Sequence, residues 1–540
     1  MKNLFPIIAA IGLAFTALAS PPTQAWRRTF NTGSNTDFAS SLDIDASGNA
    51  YMQYLSQSSG GHWLIHLVKV GPASGVLFDK VLDYTTAHRA GSILVSPLVA
   101  GKQYVYEFIY EDGTPERLTI YKFDTAGVVQ WLSPFVYAIQ ANISVIGMYP
   151  DSSGNLLLAL AIAPLSGGSL DMISVDTTGA KTSEHSNANI TPSAAYYSST
   201  LAGWIATGRP LDGTGNTDPY SAVWGVYDPT TGGKGTLGDA AQGSSSGFSS
   251  SIHSFLINAL PGNAFSVAHN ISNNVFTTLS YQTSLKVYNS AGTVAWQYPP
   301  SIAWGAYTMQ LAQLNASAPY FMLSKIQGST FTAPEPRLID KFDNAGSFVW
   351  QHTHQPADLV FPWNDGGFFT AFYNRQNNTE YLEHADSNGV YDWGRGFPGT
   401  GSSAVSTLAG FKGFQNSFYF VNNLSDSGTS TDVVMDRFVT GIAMQSISTI
   451  FTSVKSGNSL NATIALNGNA PTGGVSVGVS SSSNKLLLPN GTQGQFITVP
   501  AGQPSVTVAL SAQTVAVNTK VRILAIQNGI RRFVDVTVTP

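Results

Sequence analysis

Ile339-Asp-Lys-Phe-Asp343-Asn-Ala-Gly346-Ser-Phe-Val-Trp350 is the most regular copy of a phrase that recurs along most of this 540-residue chain. The alternation of apolar and polar residues before Asp343 predicts a β-strand with one buried face. Asp343 can accept a hydrogen bond from the backbone two residues on, and Gly346 can adopt the left-handed conformation that closes a tight turn. A second apolar run ends at Trp350, so the phrase predicts a β-hairpin.

The hairpin phrase occurs eight times. Its closing glycines are Gly75, Gly127, Gly179, Gly232, Gly292, Gly346, Gly389 and Gly441. A weaker phrase, such as Asp45-Ala-Ser-Gly-Asn49 or Asp151-Ser-Ser-Gly-Asn155, precedes most copies and predicts a second hairpin. Two hairpins in each period of about 52 residues make a four-stranded sheet, and a series of such sheets is typical of a β-propeller.

The length of the repeated region predicts how the ring closes. Residues 26–441 hold about eight periods, or seven if one copy is an insertion. The last copy, which ends at Gly441, lacks a strand that ends in Trp, whereas Trp26-Arg-Arg-Thr-Phe30 has the pattern of such a strand. We therefore predict that the N-terminal segment supplies the fourth strand of the last sheet, which removes an open edge.

The first 25 residues predict a secretory signal peptide. A single positive charge at Lys2 precedes an uncharged run from Leu4 to Ala19, and small residues suited to cleavage occur at Ala19 and Ala25. Cleavage after Ala25 is preferred because it leaves the strand that starts at Trp26 free to pair with the last sheet. The predicted location is therefore extracellular or at the cell surface, with the periplasm as the alternative. No later run is long and apolar enough for a transmembrane segment.

The composition excludes several classes of protein. Only 11% of the residues are charged, which excludes a coiled coil, and the 43% hydrophobic content excludes a wholly disordered chain. A net charge of −5 argues against nucleic acid as a partner. The chain has no Cys, so neither disulfides nor thiol catalysis are available.

Residues 442–540 predict a second domain. From residue 445 onward the chain carries six basic residues and one acid, a net charge of +5, which leaves −10 on the remainder. Short apolar runs separated by Gly, Pro and Asn predict a β-sandwich. The predicted strands are Ser459–Leu466, Val475–Ser480, Gln495–Val499, Ser505–Leu510, Val521–Gln527 and Arg532–Val538.

Two family resemblances follow from these residues. The segment Gly457–Val477, with Val499-Pro-Ala-Gly502 and Val536-Thr-Val-Thr-Pro540, resembles the immunoglobulin-like modules of secreted bacterial surface proteins. The Asp-Ser-Gly-Asn and Asp-x-x-Gly-x-x-x-Trp phrases resemble bacterial propeller repeats of the quinoprotein-like and seven-bladed types. Both resemblances imply an extracytoplasmic binding or scaffold role, and neither supplies transferable catalytic residues. The predicted fold is thus all-β: an eight-bladed propeller, with seven blades as the alternative, followed by an immunoglobulin-like β-sandwich.

Two patterns suggest metal sites. Asp212, Asn216 and Asp218 offer oxygen ligands in a short Gly-containing loop, which suits Ca²⁺ but lacks the bidentate Glu of an EF-hand loop. His352 and His354 share one face of a predicted strand and could bind one metal. No cofactor is firmly indicated, and Ca²⁺ is the one candidate.

The tryptophans form two sets. Trp131, Trp296, Trp350 and Trp393 recur in register with the hairpin phrase and are predicted to pack between sheets. Trp63, Trp204, Trp304 and Trp363 lie outside that register. We expect core packing for most of these, and the hypothesis of a ligand-binding role at a funnel mouth is kept for any that are exposed.

The first functional hypothesis is a non-enzymatic binding or scaffold protein that recognises an extracellular polysaccharide or a protein surface. The rival is an extracellular enzyme, a glycosidase, lyase or quinoprotein-like protein, with its site in the central funnel. A glycosidase would need two carboxylates there about 5–10 Å apart, and the sequence does not show which carboxylates converge. The sequence leaves the oligomeric state open.

Overall fold

The structure is a computed structural model, and it describes residues 22–30, 37–57, 63–84, 88–89, 91–98, 101–111, 115–139, 142–163, 168–211, 221–242, 250–259, 264–275, 278–297, 310–313, 321–326, 337–343, 347–354, 359–363, 367–374, 379–398, 406–414, 417–425, 431–471, 473–527 and 530–540. Regular structure in these residues is entirely β, and none of them forms a helix able to cross a membrane. Two compact units are present. One contains Gln24–Val439 with Asn528–Arg531, and the other contains Thr440–Gln527 with Arg532–Pro540.

The described strands of the larger unit form eight antiparallel sheets. Sheet 1 contains β2 (Asp37–Ile44), β3 (Ala50–Gln57), β4 (Trp63–Val70) and β5 (Val76–Tyr84). Sheet 2 contains β6 (His88–Arg89), β7 (Ile93–Val95), β8 (Tyr104–Glu111), β9 (Glu116–Asp124) and β10 (Phe135–Ile139). Sheet 3 contains β11 (Asn142–Pro150), β12 (Leu156–Ala163), β13 (Ser169–Val175) and β14 (Lys181–Asn187). Sheet 4 contains β15 (Ile190–Ser198), β16 (Gly203–Pro210), β17 (Ser221–Tyr227) and β18 (Lys234–Gln242).

The remaining sheets of this unit continue the pattern. Sheet 5 contains β19 (Ser250–Ala259), β20 (Phe265–Val275), β21 (Thr278–Tyr288) and β22 (Val294–Gln297). Sheet 6 contains β23 (Gln310–Gln313), β24 (Phe321–Ile326), β25 (Arg337–Phe342) and β26 (Phe348–His354). Sheet 7 contains β27 (Leu359–Pro362), β28 (Phe368–Asn374), β29 (Thr379–Ala385) and β30 (Tyr391–Pro398). Sheet 8 contains β31 (Ser406–Phe414), β32 (Ser417–Ser425), β33 (Thr431–Val439) and the N-terminal β1 (Thr23–Phe30).

The recurring phrase therefore predicts the strand pairing correctly: the architecture of repeated four-stranded antiparallel sheets is confirmed. In sheet 8 the strand order is β1-β33-β32-β31, which confirms that the N-terminal segment completes the last sheet. The first strands of successive sheets contact one another: β11 contacts β15, and β15 contacts β19. In the same way β31 of sheet 8 contacts β2 of sheet 1. The last sheet thus lies beside the first.

The start of β1 bears on the predicted signal peptide. Residues 1–21 lie outside the described residues, so the signal peptide stays a prediction. The strand begins at Thr23, and Ala25 within it is buried. Cleavage after Ala25 would remove the first three residues of β1, whereas cleavage after Ala19 would leave the strand whole.

Most described hairpin turns have the geometry that their sequence predicts; in the first copy the positive φ falls on Ser74 and not on Gly75, and Gly346 lies outside the described residues. Asp124 Oδ1 accepts hydrogen bonds from the backbone N–H groups of Ala126 and Val128, both at 2.9 Å. Gly127 has a φ of 80°, which favours glycine. The same side-chain acceptor geometry recurs at Asp176, Asp228, Asn289 and Asp386. The phrase thus encodes a turn, in which the Asp side chains accept hydrogen bonds from backbone N–H groups.

Side chains from the preceding sheet cap the first strands of several sheets. Ala39 N donates to Asn423 Oδ1 at 2.7 Å, and Asn423 Nδ2 donates back to Ala39 O at 3.1 Å, so sheet 8 holds β2. Asp43 accepts from Val95 N at 2.7 Å, and Glu116 accepts from Ile143 N at 3.2 Å. Strand edges with unpaired backbone groups invite aggregation. These side chains satisfy such groups within the molecule.

Tryptophans join neighbouring sheets, as predicted. Trp131 Nε1 donates to Thr177 O at 3.0 Å, and Trp350 Nε1 donates to Ser387 O at 3.0 Å, each acceptor lying in the turn of the next sheet. Trp296 and Trp393 pack against Phe342 and Phe438 of the next sheet, with ring centroids 5.6 Å apart in both pairs. The prediction that this set packs between sheets is confirmed.

Replacement of Trp131 by Phe is expected to lower the free energy of unfolding of the larger unit by about 1–2 kcal/mol. The change removes a buried hydrogen bond and leaves a small cavity. All ten tryptophans lie between residues 26 and 393, so urea unfolding followed by tryptophan fluorescence reports this unit alone. Leu132→Ala is the control, because Leu132 is fully exposed and its loss should cost under about 0.5 kcal/mol. Equal effects of the two changes would show that the Trp131 contact does not join the sheets.

The smaller unit contains two sheets. Sheet 9 has the order β34-β36-β40-β38, with β34 (Met444–Thr449), β36 (Ser459–Leu466), β38 (Leu486–Leu487) and β40 (Ser505–Ala512). Sheet 10 has the order β35-β42-β41-β37-β39, with β35 (Ser453–Lys455), β37 (Val475–Ser481), β39 (Gly494–Val499), β41 (Thr519–Gln527) and β42 (Ile530–Thr539). Burial alternates along these strands, as in β36, where Leu460, Ala462 and Ile464 are buried. The six predicted strands are confirmed, with ends within two residues of the observed ones.

Candidate binding face and buried polar clusters

The predicted metal-site residues lie partly outside the described residues. Asp212, Asn216 and Asp218 lie wholly outside them. His352 is half-buried in β26, and its ring lies 4.9 Å from that of Trp350. The backbone of His354 belongs to the same strand, but its side chain is outside the described part. The described residues contain no group of three His, Cys, Asp or Glu placed to hold a metal ion. Both metal sites therefore stay predictions.

Three of the four tryptophans considered for ligand stacking are described, and two of them are in the core. Trp204 is fully buried among Ala159, Leu170 and Tyr227, and Trp363 is buried against Phe369 and Phe418. Neither ring has a free face on which a ligand could stack. Trp63 is half-buried beside Leu55 and Ile65, and Trp304 lies outside the described residues.

Sheet 1 contains a Ser–His–Asp chain that the sequence does not indicate. Ser56 Oγ lies 2.9 Å from His66 Nε2, and His66 Nδ1 lies 3.0 Å from Asp79 Oδ1. Tyr54, directly opposite His66 in the strand register, stacks on its ring with centroids 4.2 Å apart. The three polar residues come from β3, β4 and β5. Strand register alone therefore assembles the chain.

The order of groups matches that of serine hydrolases, in which an imidazole takes the proton of a serine hydroxyl. A nucleophile must reach its substrate, and Ser56 has none of its surface exposed, whereas Asp79 at the other end is partly exposed. The exposed end is therefore the carboxylate. The geometry is that of a polar cross-link between three strands.

A reactive-serine probe tests this interpretation. We expect the folded chain to show no labelling of Ser56 by a fluorophosphonate, because Ser56 is fully buried. The control is the Ser56→Ala variant, whose background labelling should equal that of the parent. Labelling of the parent that disappears in Ser56→Ala would instead support the enzyme hypothesis.

A second polar cluster links sheets 2 and 3. Tyr137 Oη lies 2.8 Å from Glu184 Oε1 and 3.1 Å from Asp171 Oδ2. Burial, together with both carboxylates, raises the pKa of Tyr137, so its hydroxyl stays protonated. Lys181 pairs with Glu184 and partly neutralises the cluster. These carboxylates lie on β13 and β14, the last two strands of sheet 3, whereas a funnel site would draw on first strands.

A buried carboxylic acid lies between sheets 1 and 2. Glu107 on β8 is fully buried, and Gln53 Nε2 donates to its Oε1 at 3.2 Å. Gln53 is held in turn by Ser40 Oγ, which donates to its Oε1 at 2.9 Å. Glu107 Oε2 has no hydrogen-bond partner among the described residues. Burial raises the pKa of Glu107 to about 7, against a weaker lowering by Gln53.

Sheet 10 of the smaller unit presents an exposed apolar row. In the strand register Gly478 lies between Phe496 on β39 and Ile526 on β41, so all three share one face. Phe496 is 79% exposed, and its ring lies over Gly478, where an added Cβ would stand 3.4 Å from Phe496 Cε1. Val477 and Val479, which flank Gly478, are buried on the opposite face. Gly478 thus leaves room for the exposed ring of Phe496.

The same face carries charge beyond the apolar row. Lys520 and Arg522 precede Ile526 on β41 by six and four residues, both even numbers, so they share its face. The Arg522 guanidinium lies 4.1 Å above the exposed ring of Phe533. Arg522 and Lys520 also pair with Asp535, at 2.7 Å and 3.0 Å, and hold the pKa of its carboxyl well below the usual range. The sheet 10 face, defined as Gly478, Phe496, Lys520, Arg522, Ile526, Phe533 and Asp535, is therefore aromatic and cationic.

Comparison with known proteins finds distant structural likenesses. No family model and no curated protein matches the sequence. Similar solved structures include the β-propeller domain of the Trilobed protease from Pyrococcus furiosus, at 7% identity over 65% of this chain and 94% of that one, with a TM-score of 0.36. A Synechocystis apocarotenoid oxygenase mutant (10% identity, 71% and 97% coverage, TM-score 0.36) and a Pseudomonas brassicacearum lignostilbene dioxygenase (10%, 71% and 96%, 0.34) are further examples. At these values the likenesses say nothing about function.

Proposed function

We propose that this chain is an extracellular binding protein, built as an eight-bladed β-propeller followed by an immunoglobulin-like module. It recognises an extracellular polymer through the sheet 10 face. The observation that carries the proposal is the row Phe496–Gly478–Ile526, in which an exposed aromatic ring lies over a glycine. Exposed aromatics can stack on the apolar faces of sugar rings.

Two further observations support the architecture in this proposal. Eight sheets occur in the described part of the larger unit, and contact between β31 and β2 fits a closed ring of eight blades. Two sheets with alternating burial in the smaller unit fit an immunoglobulin-like sandwich. Export by the N-terminal segment is part of the proposal, and the uncharged run from Leu4 to Ala19 after Lys2 supports it.

Replacement of Phe496 by Ala tests the binding face. The whole chain is run by affinity electrophoresis in gels that contain dextran, xylan, alginate or polygalacturonate, and the parent is expected to be retarded by at least one of them. Phe496→Ala should weaken that binding about tenfold or more, because truncating an exposed aromatic anchor costs on the order of 2 kcal/mol. Phe451→Ala is the matched control, since Phe451 is 65% exposed in the same unit but lies outside the face. Retardation of Phe496→Ala equal to that of the parent, or no retardation of the parent by any polymer, would refute the proposal.

A further inference from the structure

We propose that the ligand of the sheet 10 face is an acidic polysaccharide, a polymer whose sugar rings carry carboxylates. This inference rests on the proposed function and adds the chemical class of the ligand. Three observations carry it: the charge of the unit, the arrangement of cations on the face and the order of apolar and charged groups along the face.

The first observation is the charge of the unit. Residues 445–540 carry a net charge of +5 on a chain whose remainder carries −10. Asp535 is the one acid in that stretch, and it pairs with Lys520 and Arg522. The field around this unit therefore attracts polyanions over a distance of about 8 Å at physiological ionic strength.

The second observation is the arrangement of Lys520 and Arg522. Two cations share one carboxylate, so the group retains a positive charge, and both side chains remain more than half exposed, at 72% and 52%. Because the pKa of Asp535 is lowered by its partners, this charge balance does not change across neutral pH. The Arg522 guanidinium lies over the ring of Phe533 and makes two hydrogen bonds to Asp535, and these contacts orient it. Nε and Nη2 of Arg522 donate to Asp535, so Nη1 is the nitrogen left to donate to a second carboxylate, that of the ligand.

The third observation is the order of groups along the face. Phe496 and Ile526 form the apolar end, and Arg522 and Lys520 follow along β41 on the same side of the sheet. A uronic acid unit has the same two parts, an apolar ring face and an equatorial carboxylate. A neutral polysaccharide would leave the cations unused. A single-stranded nucleic acid is a different class of polyanion, and its binding is an outcome of the test.

Charge-neutral variants of the whole chain test the inference. We compare the parent, Lys520→Gln/Arg522→Gln, Phe496→Ala and the control Lys485→Gln, which removes one charge from the same unit outside the face. Polygalacturonate, dextran and single-stranded oligodeoxythymidine serve as probes, each at 50 and 500 mM NaCl. We expect the parent to prefer polygalacturonate, with affinity falling about tenfold at high salt, and the double variant to lose about tenfold at low salt while Lys485→Gln loses less than twofold.

The outcomes separate this inference from the proposed function. Equal affinity of the parent for dextran and polygalacturonate, or an unchanged affinity of the double variant, would overturn the acidic ligand and leave the binding face intact. Tighter binding of the oligonucleotide than of polygalacturonate would also overturn it. An unchanged Phe496→Ala variant would overturn the proposed function itself. Arg522→Lys keeps the positive charge but removes the guanidinium that lies over Phe533. If this variant retains part of the affinity, the loss in the double variant comes from missing contacts with the ligand and not from misfolding.

Discussion

A chain that begins at residue 31, and therefore lacks β1, is expected to lose the cooperative unfolding of its larger unit. Trp26 Nε1 donates to Pro72 O of sheet 1 at 2.9 Å, and Phe30 packs against Tyr54 of the same sheet with centroids 5.9 Å apart. Removing two such aromatic contacts costs on the order of 6 kcal/mol. That is comparable with the whole stability of an ordinary domain, about 5–15 kcal/mol.

The polar contacts of β1 add to this loss. Arg27 donates two hydrogen bonds to the buried Asp436 on β33, at 2.9 and 2.8 Å, and Gln24 donates a further one to the same carboxylate. Without β1, Asp436 loses these donors and β33 becomes an open edge, which favours association. Tryptophan fluorescence during urea unfolding, with light scattering for aggregation, measures both effects.

Two further chains serve as controls for this truncation. A chain that begins at Ser20 keeps the whole of β1 and should unfold as the full chain does. A chain that begins at Trp26 lacks Thr23–Ala25 of the strand and is expected to lose part of its stability. If the chain that begins at residue 31 unfolded at the same urea concentration as the one that begins at Ser20, β1 would not close the unit.

Replacement of Glu107 by Gln is expected to stabilise the larger unit at alkaline pH and to have little effect in acid. The folded-state pKa of Glu107 is raised from 4.5 to about 7, so the folded protein prefers the neutral carboxyl. Below pH 4.5 Glu107 is protonated in both the folded and the unfolded chain, so it does not lower the free energy of unfolding. Between pH 4.5 and 7 the unfolded chain releases its proton and the folded one does not, so stability falls as pH rises. Above pH 7 the loss is complete, at about 3 kcal/mol.

Glutamine keeps the shape of the side chain and removes the charge. The Glu107→Gln variant should therefore exceed the parent in unfolding free energy by about 3 kcal/mol at pH 8.5 and by less than about 1 kcal/mol at pH 5. Urea titrations at both pH values, followed by tryptophan fluorescence, give the difference. Glu111→Gln at the end of the same strand is the control for a general effect of losing one acid. A gain for Glu107→Gln of the same size at both pH values would show that ionisation is not its cause.

The sequence was most informative where the interaction is local. Asp124 and Gly127 build their turn from atoms four residues apart at most, and the same turn recurs at Asp176, Asp228, Asn289 and Asp386. The strands of the smaller unit alternate apolar and polar residues, so Ser459–Leu466 and its neighbours were placed within two residues of their observed ends. Closure by β1 was predictable as well, because the last repeat lacked a strand that Trp26–Phe30 could supply.

The polar clusters and the binding face were decided by tertiary structure. Ser56, His66 and Asp79 meet because the register of three strands aligns them, and no spacing in the sequence marks that alignment. Trp204 and Phe496 are both large aromatics within β-strands, yet one is fully buried and the other is 79% exposed. A strand pattern says that alternate residues face opposite sides of a sheet. Which side meets another sheet and which meets solvent depends on packing between elements far apart in the chain, and that packing sets the burial of Glu107 and the exposure of Phe496 alike.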